Sequence, residues 1–380
     1  MVKRRTSEAI FKRKGMTQEN KDRLLRLLQQ HKALGISDQI DFDKFYLYSI
    51  ITHSTAIEGS TVTEVEAQLL FDEGITSSKR TMLEQQMNLD LKVAYDYGRE
   101  WIRRHDPITV DWLVLLASKV MARTGCEYHA LGGDFSATKG ELRKLNVTAG
   151  MGGRSYMSYQ EVPARLAAFC EELNKRRKAI DSADVAAVYD LSFWAHFELV
   201  AIHPWADGNG RTCRLLMNLL QWEFDVLPTK VLKEDKAEYI QALIDTRESE
   251  DLNIFLDCMV RLHCQHLQHD IEQFIRSTSE EMTEQREPLS LLEWPSRDGI
   301  RRRQGGQKTI EVDRKGGQKT RDAILDVINR NAKVTSTQMA ATLGINRSAV
   351  SKHLKKLQAD GIIRRVGPDK GGHWEVIKEE

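Results

Sequence analysis

The chain has 380 residues, 41% of them apolar and 29% charged, and its 56 Lys and Arg nearly cancel its 55 Asp and Glu to leave a net charge of +1. That length predicts two or three domains, and the apolar share is ample for packed cores, which excludes a disordered or low-complexity chain. The charge balance excludes a uniformly basic nucleic-acid binder, so any such role needs a local basic surface.

From the N-terminus, Lys3-Arg4-Arg5 lacks the following apolar stretch of a secretion signal, and no apolar run reads as long enough to span a bilayer. Cytoplasmic residence with no membrane partner is therefore expected. Five cysteines (Cys126, Cys170, Cys213, Cys258 and Cys264), odd in number and without a Cys-x-x-Cys pair, fit reduced thiols. The run Ser54-Thr55-Ala56-Ile57-Glu58-Gly59 reads by itself as a helix end carrying a solvent-facing carboxylate and closed by Gly59. Further on, Leu145-Asn146-Val147-Thr148 and Ser155-Tyr156-Met157-Ser158-Tyr159 flank a glycine-rich turn and predict a short hairpin.

The densest chemistry lies at His203-Pro204-Trp205-Ala206-Asp207-Gly208-Asn209-Gly210-Arg211-Thr212-Cys213-Arg214. A turn on Gly208, Asn209 and Gly210 brings backbone N–H groups close to an anion, because glycine accepts positive φ and has no side chain in the way. The pattern Leu215, Leu216, Leu219, Leu220 and Trp222 predicts a helix from Arg211 to Phe224, with Pro228 beyond it, whose N-terminus favours phosphate. Arg211 and Arg214 then share one side, one turn apart, and two guanidinium groups suit a polyphosphate. Asp207 beside such an anion makes sense as a Mg²⁺ ligand, and His203 is the one group in the run that exchanges a proton near neutrality.

Downstream, Tyr239 falls on a predicted helix face, and His263, Cys264, His266 and His269 drift around one helix, which favours a polar helix face over a metal site. Residues 278–320 read as a linker, with the near-repeats Gly305-Gly306-Gln307-Lys308-Thr309 and Gly316-Gly317-Gln318-Lys319-Thr320 and a basic Arg301-Arg302-Arg303. Helices are predicted over 321–331 (Ile324, Leu325 and Ile328 inward), 336–343 and 347–360 (Val350, Leu354 and Leu357 inward). A hairpin follows, from Gly361-Ile362-Ile363-Arg364-Arg365-Val366 to His373-Trp374-Glu375-Val376-Ile377.

The run at 203–214 resembles the signature of the Fic family, H-x-F-x-(D/E)-G-N-G-R-x-x-R, with Trp205 where the family usually has Phe, and 196–202 resembles the helix leading into it. The resemblance implies transfer of AMP from ATP to a Tyr, Ser or Thr hydroxyl of a target protein or of the chain itself. His203 would then be the base and Asp207 the holder of Mg²⁺ across the α- and β-phosphates. Asn209 with the Gly208 and Gly210 backbone would cradle the phosphates, and Arg211 and Arg214 would bind the β- and γ-phosphates. The intact glycines favour AMP transfer over the phosphate transfer of a branch in which they are altered. Ser54, Glu58 and Gly59 fit the family's inhibitory pattern (S/T)-x-x-x-E-(G/N), which implies that Glu58 pairs with Arg214 and spoils the ATP pose. The hairpin resembles the family's target-docking flap, with Asn146, Val147 and Thr148 on its edge, and Tyr239 falls where relatives place a nucleotide-contacting tyrosine.

The C-terminal segment resembles a winged helix-turn-helix domain, which implies DNA contact through Arg347, Ser348, Ser351, Lys352 and Lys355, although such domains also dock proteins. The expected fold is mainly α. An N-terminal helical region (1–108) carries the inhibitory helix, a Fic-type helical core (109–277) carries a small β-hairpin flap, and the linker (278–320) leads to an α+β winged helix (321–380). Two alternatives stay open: a DNA-binding regulator whose Fic unit senses nucleotide, and an enzyme that removes AMP. A homo-oligomer is also left open.

Overall fold

The structure, a computed structural model, describes residues 15–39, 41–149 and 155–284, the last six of these by backbone alone. In the C-terminal part it describes 324–325, 327–329, 332, 334, 338–339, 350, 353–354, 356–358, 361–366 and 373–377. The chain divides into two compact units, Met1–Leu289 and Ser290–Glu380.

In the first unit the helices are α1 (Gln18–Ala33), α2 (Phe42–Ile57), α3 (Glu64–Glu73), α4 (Met82–Ile102), α5 (Val110–Val120), α6 (Val162–Ala179), α7 (Val185–Ile202), α8 (Asn209–Glu223), α9 (Lys236–Ser249) and α10 (Asn253–Glu284). Their starts follow from sequence. Thr63 and Thr81 close capping boxes with Glu66 and Glu84, and Thr17, Thr109 and Asp184 each accept a first-turn N–H. A two-residue hairpin, β1 (Glu127–Tyr128) with β2 (Phe135–Ser136), stacks Tyr128 on Phe135.

Helix α7 is the axis of the unit. It packs on α1, α6, α8 and α10, and most of its side chains are buried on every side. By length and composition it is apolar enough to cross a membrane, which corrects the expectation that no such run exists, but 78% of that stretch is buried inside the protein. Helix α8 lies along α7 and also touches α4, α5 and α2. Because α4 packs on α5 and α8, and α1 on α10, the helices before and after residue 108 share one compact unit. Helix α10 runs to Glu284, past the expected start of the linker at 278. The rest of that linker lies outside the described residues.

His263 and His266 do not form a solvent-facing polar stripe on α10. Both are buried, His263 against the Tyr189 hydroxyl (3.0 Å) and His266 against Asp235 (2.9 Å). Among the described residues no group of three or more His, Cys, Asp or Glu is set to hold a metal.

The second unit has its own small core of Ile324, Ile328, Val334, Met339, Val350, Leu354, Leu357 and Ile363. Strands β3 (Ile363–Val366) and β4 (His373–Val376) pair antiparallel, with Arg364 opposite Glu375 and joined to it at 2.7 Å. Of the positions expected inward on the first and third helices, Ile324, Ile328, Val350, Leu354 and Leu357 are buried and Leu325 is partly buried against them, and the expected hairpin is present. Arg347, Ser348, Ser351, Lys352 and Lys355, named as DNA contacts, lie outside the described residues.

Candidate active site

Helix α7 ends at His203, which sits in the left-handed region (φ 50°, ψ 61°), a conformation that costs a non-glycine residue about 1–2 kcal/mol. Neighbouring contacts over-determine it. The buried Arg143 donates from Nε to the His203 carbonyl (2.7 Å), and its own N–H reaches the Pro204 carbonyl (2.9 Å). Trp205, 2% exposed, anchors the loop through Nε1 to the Gly140 carbonyl at 2.9 Å. The larger ring in place of Phe thus gains a hydrogen bond while keeping the burial.

The Asn209 amide closes the loop, accepting from the Trp205 N–H (3.1 Å) and donating to the Trp205 carbonyl (2.8 Å). Its side chain thus holds the loop geometry. Gly208, the N-cap of α8, has φ 79°, and a Cβ there would come within 2.7 Å of Met121 Sδ, so both strain and space demand glycine.

Helix α8 begins at Asn209, two residues earlier than expected, and has no side-chain cap. Its first turn therefore offers N–H groups and the positive end of the helix dipole. Arg211, 3% exposed, reaches Met121 Sδ at 3.2 Å and Asp207 at 3.5 Å, while its Nε and Nη1 have no partner. A buried guanidinium with idle donors beside an uncapped helix N-terminus is an anion site.

Arg214, one turn on, is fully engaged. Nε donates to Ser54 Oγ (2.9 Å), and Nη2 donates to the Ser54 carbonyl (2.9 Å) and to Glu58 Oε1 (2.6 Å). Glu58 ends α2, and Gly59 follows at φ 106°. The carboxylate rests on the first turn of α8, where a Cβ at Gly210 would lie 2.5 Å from Glu58 Oε1. Of the three residues read as inhibitory, Ser54 and Glu58 meet Arg214 directly, Gly59 closes the helix behind them, and the Glu58 charge also reaches Arg211.

Burial pushes the His203 imidazole down to about 4, helped by the Arg143 charge, so it is a neutral base at neutral pH. Burial would raise the Glu58 carboxyl, but Arg214, Arg211 and Lys236 outweigh it and hold the group below its usual range. Burial likewise opposes the charge on Arg214, and Glu58 with Tyr239 more than restores it.

Tyr239 is 1% exposed, its ring under the Arg214 guanidinium (5.9 Å) and its hydroxyl against His196 Nε2 (2.9 Å). It supports Arg214 from below. His196, pushed down to about 3 by burial, completes this neutral support.

Over the loop lies the expected hairpin, which among the described residues shows a bridge between Thr148 and Ser155 and the Tyr156 N–H on the Val147 carbonyl (3.0 Å). Asn146 Oδ1 accepts from the Tyr159 N–H at 3.0 Å, while residues 150–154 lie outside the described residues. Sequence reasoning missed Arg143, which also donates to the Leu145 (2.8 Å) and Met157 (2.7 Å) carbonyls and so ties both arms of the hairpin to the loop. It missed Tyr156, whose ring stacks on His203, and the β1–β2 hairpin, which stacks Tyr128 on Phe135. Nothing within a few residues of either side chain announces such contacts.

A neutral imidazole at one end of a glycine loop, an anion-seeking helix start at the other and a carboxylate at the lip define a phosphate-handling site in a mainly helical fold. Comparison with known proteins makes the class specific. Residues 107–221 match the model of the Fic/DOC family, and residues 323–372 that of the MarR family. Protein adenylyltransferase fic-1 of Caenorhabditis elegans is 26% identical over 236 residues, 61% of this chain and 42% of that one. Protein adenylyltransferase Fic of Nematostella vectensis is 27% identical over 236 residues, 60% and 49% respectively. The chain thus spans less than half the length of either relative.

Among solved structures, Fic-1 from C. elegans aligns with a TM-score of 0.53 at 20% identity over 69% of this chain and 74% of that one. A Fic family protein from Desulfovibrio desulfuricans aligns with a TM-score of 0.53 at 17% identity over 96% and 98%. The chain carries a Fic domain, followed by a MarR-like winged-helix domain.

Proposed function

We propose that the Fic domain transfers AMP from ATP to a hydroxyl of a target protein, or of this chain itself, and that Glu58 keeps it silent. The observation that carries the reading is the pairing of a neutral His203 with an anion site whose Arg211 donors stand idle. The α8 N-terminus and Arg211 bind and orient the phosphates. Nε2 of His203 takes the hydroxyl proton, since Nδ1 is shut away from solvent. The hydroxyl oxygen bonds to the α-phosphorus as the bond to the β-phosphate oxygen breaks, pyrophosphate leaves, and His203 returns its proton to water.

Asp207 is the residue that would hold Mg²⁺. Its half-exposed carboxylate at the lip is a single ligand, which fits an ion held mainly by phosphate and water oxygens. Bound there, the ion neutralises phosphate charge. Glu58, seated by Arg214 on the first turn of α8, competes with the outer phosphates for the same donors.

The test uses wild type, Glu58→Gly, and Glu58→Gly with His203→Ala, each given Mg²⁺ and ATP labelled on the α-phosphate. Label confined to the single variant supports both transfer and lock, whereas no label in any sample, alone or in a cell extract, overturns the reading. A further proposed partner is DNA, through the MarR-like domain. Full-length protein should retard duplex DNA at low salt and release it as salt rises.

A further inference from the structure

Two groups, one aromatic and one cationic, are layered over the base. The Tyr156 ring lies on the His203 ring with centroids 3.9 Å apart and planes 20° from parallel. The Arg247 guanidinium, from α9, lies 4.1 Å from the Tyr156 ring, and its Nη2 donates to the Ser155 carbonyl at 3.1 Å. Tyr156 belongs to the flap, and its N–H is fixed on the Val147 carbonyl. Stacking covers the face of the imidazole and leaves its edge, where Nε2 accepts a proton, uncovered. A base caps a helix in a strained left-handed conformation here, its main-chain carbonyl is held by Arg143, and its ring lies between the Tyr156 stack and the Val200 backbone, whose carbonyl favours the protonated ring.

We propose that Tyr156 is a positioning residue for His203: its ring, clamped by Arg247, fixes the imidazole so that Nε2 faces the hydroxyl to be modified. The inference rests on His203 acting as the base of AMP transfer. Because Tyr156 and Val147 share a hydrogen bond, a target strand seated on the flap edge sets the base at the same time as it presents its hydroxyl. Displacement of a reacting group by an ångström is enough to slow a reaction by on the order of a hundredfold. The ring is what matters, so phenylalanine should serve nearly as well as tyrosine. ATP, bound at the α8 N-terminus and Arg211, should not sense the change.

The experiment is carried out in full-length Glu58→Gly protein with α-labelled ATP, measuring the labelling rate at saturating ATP and the half-saturating ATP concentration. Tyr156→Ala is expected to lower the rate by about tenfold or more with half-saturation changed by less than about twofold, and Tyr156→Phe to restore most of the rate. Arg247→Met, which keeps the stem and removes the clamp, should fall between them. It supplies a second reading if Tyr156→Ala melts early. An unchanged rate in both Tyr156→Ala and Arg247→Met overturns the inference, as does a Tyr156→Phe variant as slow as Tyr156→Ala, which would make the hydroxyl the acting group. Absence of label in the Glu58→Gly parent would instead defeat the proposed activity.

Discussion

Replacing Arg143 with methionine keeps an unbranched stem in the same cavity and removes every N–H. Arg143 is 1% exposed, and its guanidinium donates to three carbonyls, those of His203, Leu145 and Met157, at 2.7, 2.8 and 2.7 Å. A hydrogen bond to a charged group contributes about 1.5–3 kcal/mol net, and a carbonyl left buried and unpaired costs about 1–3 kcal/mol. Neighbouring bonds are not additive, and the flap carbonyls regain water once the hairpin lifts, so the local cost is about 3–5 kcal/mol rather than the full sum. The loss falls on the hairpin and the His203 turn, because α7 and α8 are held by their own burial. Hydrogen exchange should therefore show the Tyr156 amide, bonded to the Val147 carbonyl, exchanging about 10²-fold faster or more. Global urea stability should drop less than the local figure. The same substitution removes the positive charge that, after burial, lowers the His203 pKa, so the acidic limb of the labelling rate should move to higher pH. Arg143→Lys keeps the charge but loses the planar fork, and should restore that limb without restoring flap protection. Exchange and labelling within about twofold of the parent in Arg143→Met would refute the clasp.

Acid should destabilise the protein early. His196 and His263 are pushed to about 3 and His203 to about 4, each by burial, so their contribution is complete above the unfolded value of 6.5 and is lost as pH falls below it. Each adds up to about 1.4 kcal/mol per pH unit between its two pKa values, which urea melts at stepped pH would register. The Glu58 lock has the opposite range. Its folded pKa is depressed, so the pair persists above 4.5 and loosens only as pH falls through a lower value, and ATP affinity should show no unlocking between pH 6 and 8. Gly208→Ala forces a side chain into a left-handed residue and against Met121 Sδ, so it should cost about 1–3 kcal/mol by thermal melt and abolish labelling. Trp205→Phe keeps the buried ring but leaves the Gly140 carbonyl without its donor, for about 1 kcal/mol of stability and a modest fall in labelling.

Legibility followed sequence distance. The loop from His203 to Arg214 was readable because its chemistry is local, with glycine, carboxylate and arginine set by helical spacing. The bond between Glu58 and Arg214 crosses 156 positions, and only the recurrence of a known pattern suggested it. Arg143 reaches across 60 residues to His203, and nothing near it in sequence marks that contact. Tyr239 and Asn209 show a related effect: a polar side chain near a site reads as a ligand contact, and its buried hydrogen bonds to neighbours become visible only in the fold. The β1–β2 hairpin escaped because two-residue strands show no alternation. Helix α7 was read from resemblance over 196–202 alone, because a helix apolar on all faces has no amphipathic signature to reveal its earlier turns.

The arrangement around Arg214 also determines how strong the proposed lock can be. Two of the three Arg214 hydrogen bonds go to Ser54, on the same helix as Glu58, so removing Glu58 alone leaves the guanidinium partnered and in place. What remains is an anion site with its geometry intact and its internal competitor gone. A charge-assisted bond at a partly exposed lip is worth about 1.5–3 kcal/mol, a factor of roughly ten to a hundred, and the apparent ATP affinity of the locked protein is reduced by the same factor. Glu58→Gly should therefore tighten ATP binding by about that factor while changing stability by less than a broken buried ion pair would. Ser54→Ala, by contrast, should weaken ATP binding even without the lock, because it loosens the arginine itself. Equal ATP affinity in wild type and Glu58→Gly, measured by titration calorimetry, would mean that the carboxylate and the nucleotide do not share these donors.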